Sequence, residues 1–373
     1  MAMFIVKPWY RKKDDAIYGA EWAGGSDPSW VRTDAAVGFS DPNPYYSGMS
    51  TTPSSPFDNI MPWSGMRRVT DANAGELVEI PKFYYKWTRD GVKMKLQISM
   101  SQFDGSHVSP AHADRGDGVG ERDYAYIGRY HCASDYKSKT GVKPKASETR
   151  SSFRSSIHNL GANIWQNDYA MWWTINMLYL VEFANWNSQV MIGYGAGNNS
   201  STENMGASDN MGYHTGTMKS SRTTYGVGVQ YRYIEDLWGN VRDFCDGIYF
   251  VNDSSIYAIK NPADFSDNAN GSLVGSCGTS YGVIKSWTTP TVTGFEYALY
   301  PETVMSGQVS SNSYGCDVVY DYANSGTALF TGGNYEHAVE WGKFFLNRSV
   351  PSSWTSNNVG SRLMVLPPSR LSA

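Results

Sequence analysis

The sequence predicts an α+β protein, and three observations support this class. Two segments in the middle of the chain carry helical periodicity, short apolar runs of strand character precede and follow them, and turn-forming residues separate those runs. The 373 residues include 37 glycines, and 14% are aromatic, which suits strands joined by turns and irregular loops. We therefore expect short antiparallel strands with long loops between them.

A β-hairpin is predicted ahead of the helices. The runs LVEIPKFYYKW (77–87) and VKMKLQISM (92–100) are rich in apolar residues and are joined through Asp90-Gly91. An Asp-Gly step between such runs is a strong hairpin signal, because both residues tolerate the left-handed backbone of a tight turn. A further strand is predicted at AYIGRYH (125–131).

Two helices are predicted next. The first has Ser147 as a candidate N-cap and Gly161 at its end. Its apolar residues share the i, i+4, i+7 spacing of one helix face: Phe153, Ile157 and Leu160. The second begins near Asp168 and continues through YAMWWTINMLYLVEFANW. Its apolar residues surround the axis almost completely, which predicts a central, buried helix.

After the helices the chain is predicted to return to short strands separated by polar loops. Runs such as VGVQYRYI (227–234) and RDFCDGIYFV (242–251) have strand composition. The predicted organisation is an irregular Pro/Gly/Ser-rich assembly segment over 1–57, a small β-rich region over 58–122, and one large domain over 123–373.

The charge balance and the cysteines exclude several classes of protein. Charged residues are 18% of the chain and the net charge is -4, so no nucleic-acid partner is expected. No apolar run is long enough to span a bilayer, and the N-terminal one is too short for a secretory signal, so we expect neither membrane insertion nor a leader. The four cysteines lie far apart without a CxxC pair, which disfavours a zinc ribbon or a disulfide scaffold.

No motif of catalytic or cofactor chemistry stands out. The chain has no GxSxG elbow and no HExxH pair, and its GYGAGNN stretch lacks the Lys-Ser/Thr that completes a phosphate-binding loop. We therefore expect no catalytic residue, no cofactor and no bound metal.

The C-terminal segment, about 328–366, has the composition of a recognition surface. Glycines punctuate it, and aromatic, charged and amide side chains lie between them without a strand or helix period. Loop frameworks that carry such a mixture are typical of binding surfaces. An ordinary irregular loop is the alternative interpretation.

Several segments together resemble one known family. YIEDLWGNVRDFCDGIYF (233–250) is similar to the LGNVWEW signature of the C-type-lectin-fold branch that formylglycine-generating enzymes share with diversity-generating-retroelement variable proteins. AYIGRYH resembles the opening strand of that fold, and FTGGNYEHAVEWGKFF with NNVGSRL resembles its closing segment. DNIMPWSGMRRV and ELVEIPKFYYKW are similar to segments upstream of this fold in phage tail-fibre proteins. The resemblance covers roughly residues 58–373.

The resemblance implies a C-type lectin fold with two helices, short antiparallel strands and long loops. It also implies a receptor-binding protein similar to the major tropism determinant, in which a closing variable region on a rigid scaffold contacts the ligand. The scaffold positions carried over are Gly332, Gly333, Gly342, Gly360 and Arg362. The ligand-binding positions carried over, with neighbours expected on the same face, are Asn334, Tyr335, Glu336, His337, Glu340, Trp341, Lys343, Phe345, Asn347, Arg348, Ser349, Ser353, Trp354 and Thr355.

The function implied by this resemblance is that of a non-catalytic phage tail-fibre tip adhesin located in the virion. Its partners would be a bacterial surface receptor (protein or glycan), other tail proteins and further copies of the chain, in a homo-oligomer such as a trimer. Two alternatives stay open: an enzyme of the formylglycine-generating or polysaccharide-degrading type, and a bacterial surface or pilus-tip adhesin. The formylglycine-generating type is disfavoured because those enzymes use cysteines near the chain end, whereas no cysteine follows Cys316 in this sequence.

Overall fold

A computed structural model describes residues 15–251, 255–268, 270–278, 280–307, 312–321, 327–337 and 341–371. Strands take up 33% of the structure and helices 10%, and the strands form several sheets, one of them curled into a half-barrel. The helices of the described chain are α1 (Arg150–His158), α2 (Tyr169–Phe183) and α3 (Ser188–Met191), with 3-10 turns at Trp63–Gly65 and Pro262–Asp264.

The strands are short and follow one another with few helical interruptions. Those before α2 are β1 (Tyr18–Trp22), β2 (Trp30–Asp34), β3 (Tyr45–Tyr46), β4 (Arg67–Asp71), β5 (Gly75–Pro81), β6 (Tyr84–Asp90), β7 (Lys93–Ser99), β8 (His107–Val108), β9 (Tyr124–Gly128) and β10 (Ile164–Gln166). Those after α3 are β11 (Gly216–Thr217), β12 (Val229–Tyr231), β13 (Ile234–Glu235), β14 (Arg242–Val251), β15 (Ser255–Ala258), β16 (Ser272–Ser276), β17 (Ser280–Trp287), β18 (Pro301–Ser306), β19 (Val318–Asp321), β20 (Thr327–Thr331), β21 (Leu346–Asn347), β22 (Val359–Gly360) and β23 (Leu363–Val365).

The predicted α+β class is wrong, and the structure corrects it to a β-rich fold of several sheets. The two expected helices are present, but helices make up a smaller fraction of the structure than the inferred C-type lectin arrangement implied. Many strands have only two to five residues, and the longest, β14, is buried along nearly its whole length. Neither kind of strand shows the polar/apolar alternation by which a sequence reveals a half-buried strand.

Residues 15–57, the described part of the segment predicted to be irregular, contribute strands to two sheets. β1 lies inside a five-stranded sheet of order β2-β1-β7-β6-β8 and pairs antiparallel with both β2 and β7. Trp22 and Trp30 face each other across the β1–β2 pair, and both rings are buried in the main apolar core. These two rings supply buried apolar surface, which the surrounding Pro- and Gly-rich turns lack.

A second sheet crosses the domain boundary predicted between 58–122 and 123–373. Its order is β10-β23-β9-β5-β4, so β5 pairs with β9, and the closing strand β23 lies between β9 and β10. The expected β6–β7 hairpin is present, but its turn lies one residue later, at Gly91-Val92, because Asp90 pairs with Lys93; Gly91 has the positive φ of 59° that such a turn uses. The run predicted as one strand over 77–87 divides instead at Lys82-Phe83 into β5 and β6, which belong to different sheets.

The remaining strands form a four-stranded sheet and a large sheet. The four-stranded sheet has the order β13-β12-β11-β3, and the large one runs β16-β15-β14-β20-β21-β19-β17-β18, with β22 parallel to the start of β14. β14 is therefore the strand on which β15, β20 and β22 converge. Its first residue lies where the loops after β20 and before β22 meet.

Both main helices begin at an N-cap that satisfies a backbone N–H of the first turn. Thr149 accepts a hydrogen bond from the Ser152 amide, so it caps α1 in place of the predicted Ser147. Asp168 accepts one from the Met171 amide, which agrees with the predicted start of α2. Every residue of α2 is buried, as expected for a helix that is apolar on all sides.

The most completely hydrogen-bonded charge in the core is that of Arg362. Its Nε donates to Asp243 at 3.2 Å, its Nη1 to the carbonyls of Gly128 and Arg129 at 2.8 and 2.9 Å, and its Nη2 to the carbonyls of Glu235 and Asp236 at 2.7 and 3.0 Å. Asp243 is also bound by His131 through its Nδ1 at 2.8 Å. One guanidinium thus joins the closing, opening and central parts of the chain.

We expect Arg362→Lys to lower the free energy of unfolding by about 3–5 kcal/mol, because an ammonium cannot reach all five acceptors and leaves buried groups unpaired. Urea denaturation followed by tryptophan fluorescence measures this. The matched control is Arg370→Lys, since Arg370 is half exposed and its partner Glu79 keeps a second cation in Arg67; its cost should be about 1 kcal/mol or less. Equal losses in both variants would contradict the role given to Arg362.

A pH dependence is expected from Asp236. Burial, and next the charge of Glu235, raise the pKa of this carboxyl from 3.8 to about 8. The folded chain therefore holds a proton that the unfolded chain releases, so the stability from this group is complete below pH 3.8 and is lost as the pH rises towards 8. Asp236→Asn should abolish this loss, so that the variant gains stability over the parent between pH 5 and pH 8.

Urea titrations of both proteins at the two pH values test this expectation. The control is Asp41→Asn, because the Asp41 side chain is 69% exposed and should leave the difference between the two pH values unchanged. A constant offset between Asp236→Asn and the parent at both pH values would show that Asp236 is ionised in the folded protein.

Candidate functional site

Arg242, the first residue of β14, lies at one end of the large sheet. Its amide donates to the Asn358 carbonyl at 3.0 Å, and it pairs with Val359 of β22. The next residue, Asp243, pairs with Thr331 at the end of β20. Because the chain leaves β20 at this point, the loop that follows, which includes 332–337, is brought beside Arg242.

The guanidinium of Arg242 is buried without a hydrogen-bonding partner. The residue is 7% exposed, and its side chain donates no hydrogen bond to any described residue; Nε is fully enclosed. Burial lowers the pKa of Arg242 to about 10, although the charge of Glu336 opposes this change. The contact it does make is with an aromatic ring, since Cζ lies 5.0 Å from the ring centroid of Trp341.

Aromatic rings gather around Trp341. The ring of Trp341 is nearly parallel to those of His337 and Phe345, with centroids 3.3 and 4.2 Å away. Tyr320 of β19 meets Trp341 at a steep angle with centroids 5.3 Å apart, and Tyr281 of β17 packs on Tyr320 at 4.6 Å. His337, Tyr320 and Tyr281 are all partly exposed, so one edge of this aromatic cluster reaches the surface.

Glu336 adds a carboxylate at the rim. The residue is exposed, and its Oε2 accepts from Asn358 Nδ2 at 2.6 Å and from Asn334 Nδ2 at 3.2 Å. Burial and the nearby charge of Arg242 lower the pKa of His337 to about 4, so its ring is neutral at pH 7.

We call the set Arg242, Tyr320, Glu336, His337 and Trp341 the Arg242 patch. It combines a positive charge without a hydrogen-bonding partner, an aromatic edge and one fixed carboxylate. Such a set can bind a ligand that accepts hydrogen bonds and lies against rings.

Seven of the thirteen described side chains expected to contact a ligand are buried, which corrects the expectation of one outward face. The buried members of the predicted set are Asn334, Tyr335, Trp341, Lys343, Phe345, Asn347 and Arg348. Phe345 and Trp341 form a small apolar cluster with Val318 of β19. The segment turns its rings inward because a loop-built end of a sheet has to supply its own core.

The two buried cations of the predicted set are structural. Arg348 forms an ion pair with Asp321, and its Cζ lies 4.8 Å from the ring centroid of Phe250. Lys343 is 1% exposed, and burial followed by the charge of Arg362 holds its pKa well below the ordinary value. Neither side chain is placed to contact a ligand at the surface.

The other described members of the predicted set are accessible. Glu336, Ser353 and Thr355 are exposed, and His337, Ser349 and Trp354 are partly exposed. Trp354 packs at 5.8 Å on Phe330 in an apolar cluster separate from that of Trp341, so the structure does not bring these two tryptophans together. Glu340 lies outside the described residues.

The predicted scaffold positions occupy tight places in the backbone. Gly332 has a φ of 72°, and a Cβ at Gly333 would lie 2.1 Å from the Trp341 carbonyl oxygen. At Gly342 and Gly360 the nearest atom to an added Cβ would be at 2.7 Å, and Arg362 is the core arginine described above.

Two members of the Arg242 patch were not predicted. Arg242 belongs to the quoted LWGNVRDF segment, which indicated a scaffold strand, so the sequence did not mark it as a ligand-binding residue. Tyr320 lies in β19, whose sequence offers no sign that one tyrosine meets Trp341.

Features that would support other kinds of site are not found in the described ranges. No three or more of their His, Cys, Asp and Glu residues are grouped to hold a metal ion, and none of their helices is long and apolar enough to cross a membrane. No protein-family model matches the chain, and no curated protein matches it with significance. The function is therefore argued from the Arg242 patch itself.

The close approach at Gly333 leads to a test of the scaffold. Gly333→Ala should lower the free energy of unfolding by about 1–3 kcal/mol, because the new methyl group meets the Trp341 carbonyl and the backbone has to move. Urea denaturation measures the change, with Gly25→Ala as the control, since no atom lies within 4 Å of a Cβ at Gly25. A loss no larger at Gly333 than at Gly25 would contradict the described contact.

Proposed function

We propose that the chain is a non-catalytic receptor-binding protein, a phage tail-tip adhesin that contacts a bacterial surface molecule through the Arg242 patch. The observation that carries this proposal is the buried guanidinium of Arg242, which has an aromatic neighbour and no hydrogen-bond acceptor in the described chain. Its side chain is the part of the patch that a ligand would complete.

Burying the Arg242 guanidinium against the Trp341 ring costs folding free energy. A buried cation without an acceptor destabilises the folded protein, and the ring of Trp341 offsets only part of that cost. A ligand carboxylate or phosphate would satisfy two N–H groups at once, because a guanidinium presents them in a planar fork. The receptor group proposed for this site is therefore an anionic, hydrogen-bond-accepting one.

The neighbouring residues would supply contact area and selectivity. His337 and Tyr320 offer partly exposed rings at the rim, the residue types that contribute most per contact in recognition surfaces. Glu336 is held by two asparagine amides, so its charge has a fixed position and repels anionic groups that enter away from Arg242.

The chemistry of the patch favours binding over catalysis. His337, the residue that could act as a base, has a pKa of about 4 and stacks on Trp341, so it is a weak acceptor of protons at pH 7. The thiols required by the formylglycine-type alternative are buried, and burial raises the pKa of Cys277 to about 12 and those of Cys132, Cys245 and Cys316 likewise upward.

The wider role proposed is attachment of a virion to its host. Several copies of the chain in a homo-oligomer such as a trimer, held by other tail proteins, would turn weak single contacts into avidity. If the closing segment varies between members of the family that the chain resembles, tolerated changes should fall on its accessible residues. Among the described ones these are Glu336, His337, Ser349, Ser353 and Thr355.

The test uses fluorescently labelled protein and flow cytometry on intact cells of a panel of bacterial strains. We expect the parent protein to label at least one strain, and Arg242→Gln to bind that strain at least tenfold more weakly. The free energy of unfolding should change by about 1 kcal/mol or less, because the loss of a cation–π contact is offset by removal of a buried, unpaired charge.

Arg68→Gln is the matched control, because Arg68 is an exposed cation that also lies over an aromatic ring, 5.6 Å from the centroid of Tyr233. This variant should label cells as the parent does. Failure of the parent to label any strain, or equal labelling by Arg242→Gln, would refute the proposed site.

A further inference from the structure

A second site lies away from the Arg242 patch and shares no residue with it. It is a cavity of about 360 Å³ between the loop after β8 and the loop before β18. Its lining includes Tyr85, Arg115, Lys260, Glu296 and Tyr297. The volume lies within the range of roughly 300–1,000 Å³ that small-molecule sites occupy.

Arg115 is the buried charge of this cavity. It is 1% exposed; its Nε donates to the Lys260 carbonyl at 2.5 Å, and its Nη2 pairs with the Asp168 carboxylate. Nη1 has no acceptor, although it is fully enclosed. Arg115 is therefore held in the lining of the cavity by the Asp168 carboxylate and the Lys260 carbonyl.

Two tyrosines contribute polar groups to the cavity lining. Tyr85 and Tyr297 line the cavity, and the residues are 1% and 6% exposed. No described residue hydrogen-bonds to either hydroxyl, and the surroundings of each are charged groups at longer range, Glu296 among them. Burial raises the pKa of both phenols, so each keeps its proton and can both donate and accept.

The charges around the cavity do not favour an anion. Arg115 is already neutralised by Asp168, and Lys260 lies 5.2 Å from the ring centroid of Phe295. The lining also contains three residues with carboxylates, which oppose these positive charges: Asp114, Glu121 and Glu296. The wall therefore offers hydrogen-bond donors and acceptors in mixture, with no excess of positive charge.

The cavity continues into a more open one of about 410 Å³. The two share Arg115, Lys260 and Thr293, so they are adjoining compartments of one groove. The second compartment adds polar side chains, Asn261 and Ser272, and the ring of Phe295. A chain of linked units would fit this groove better than a single compact molecule.

We propose that this groove binds a neutral saccharide, with one sugar unit in the enclosed compartment and the next in the open one. Sugar hydroxyls both donate and accept, so they can hydrogen-bond to the hydroxyls of Tyr85 and Tyr297 in the cavity lining. The carboxylates of the lining accept from further sugar hydroxyls and disfavour acidic sugars. This site gives the protein a glycan contact that does not depend on the Arg242 patch.

The test is saturation-transfer NMR of the full chain with a panel of neutral disaccharides of glucose, galactose, mannose and N-acetylglucosamine, and with glucuronic acid as the acidic member. We expect transfer to at least one neutral disaccharide. The double variant Tyr85→Phe/Tyr297→Phe should bind that disaccharide about tenfold or more weakly, because it loses two hydrogen bonds. Its stability should hold, since neither hydroxyl has a partner in the described protein.

Tyr179→Phe is the control, because its hydroxyl is also buried without a partner but does not line the groove. It should bind as the parent does. No transfer to any neutral member, stronger binding of glucuronic acid, or equal binding by the double variant would each overturn the proposal. Arg242→Gln should leave sugar binding unchanged, so a failure at one site is distinguishable from a failure at the other.

Discussion

The guanidinium of Arg362 is the interaction on which the rest of the structure depends. Its five hydrogen bonds reach the carbonyls after β9, those of Glu235 and Asp236, and the carboxylate of Asp243 on β14. A buried charge costs much less when all of its donors are satisfied, so these five bonds favour one arrangement of the segments. Since Asp243 follows Arg242 directly, the same contact sets the position of the Arg242 patch.

The buried arginines differ in how many of their side-chain nitrogens donate hydrogen bonds. This difference separates the structural Arg362 from the two arginines at the proposed sites. Arg362 uses every donor within the core, Arg115 uses two of its three nitrogens, and Arg242 uses none. Unsatisfied donors cost stability, so a fold keeps them only where something else completes them or where the cost is small. Arg115 lines the cavity of about 360 Å³, and Arg242 contacts Trp341, whose aromatic cluster has a partly exposed edge.

The predictable parts of the fold were those in which neighbouring residues carry the signal. The β6–β7 hairpin and the Asp168 cap depend on contacts within a few residues, and both agree with the structure. The N-terminal strands did not show in the pattern, because β1 is stabilised by pairing with β7, some seventy positions along the chain. The division of the run 77–87 was hidden for the same reason, since its two halves find partners in different sheets.

The sequence by itself determined the two helices, the main hairpin, the glycines at close backbone approaches, and three members of the Arg242 patch: Glu336, His337 and Trp341. The tertiary structure alone decided which side chains of the closing segment are buried. Burial is set by segments distant in sequence, such as β19, which covers Trp341 and Phe345, and β14, which presents Arg242. The amino-acid sequence gives the chemistry of each side chain directly. Solvent exposure and missing hydrogen-bond partners exist only once distant segments have packed together.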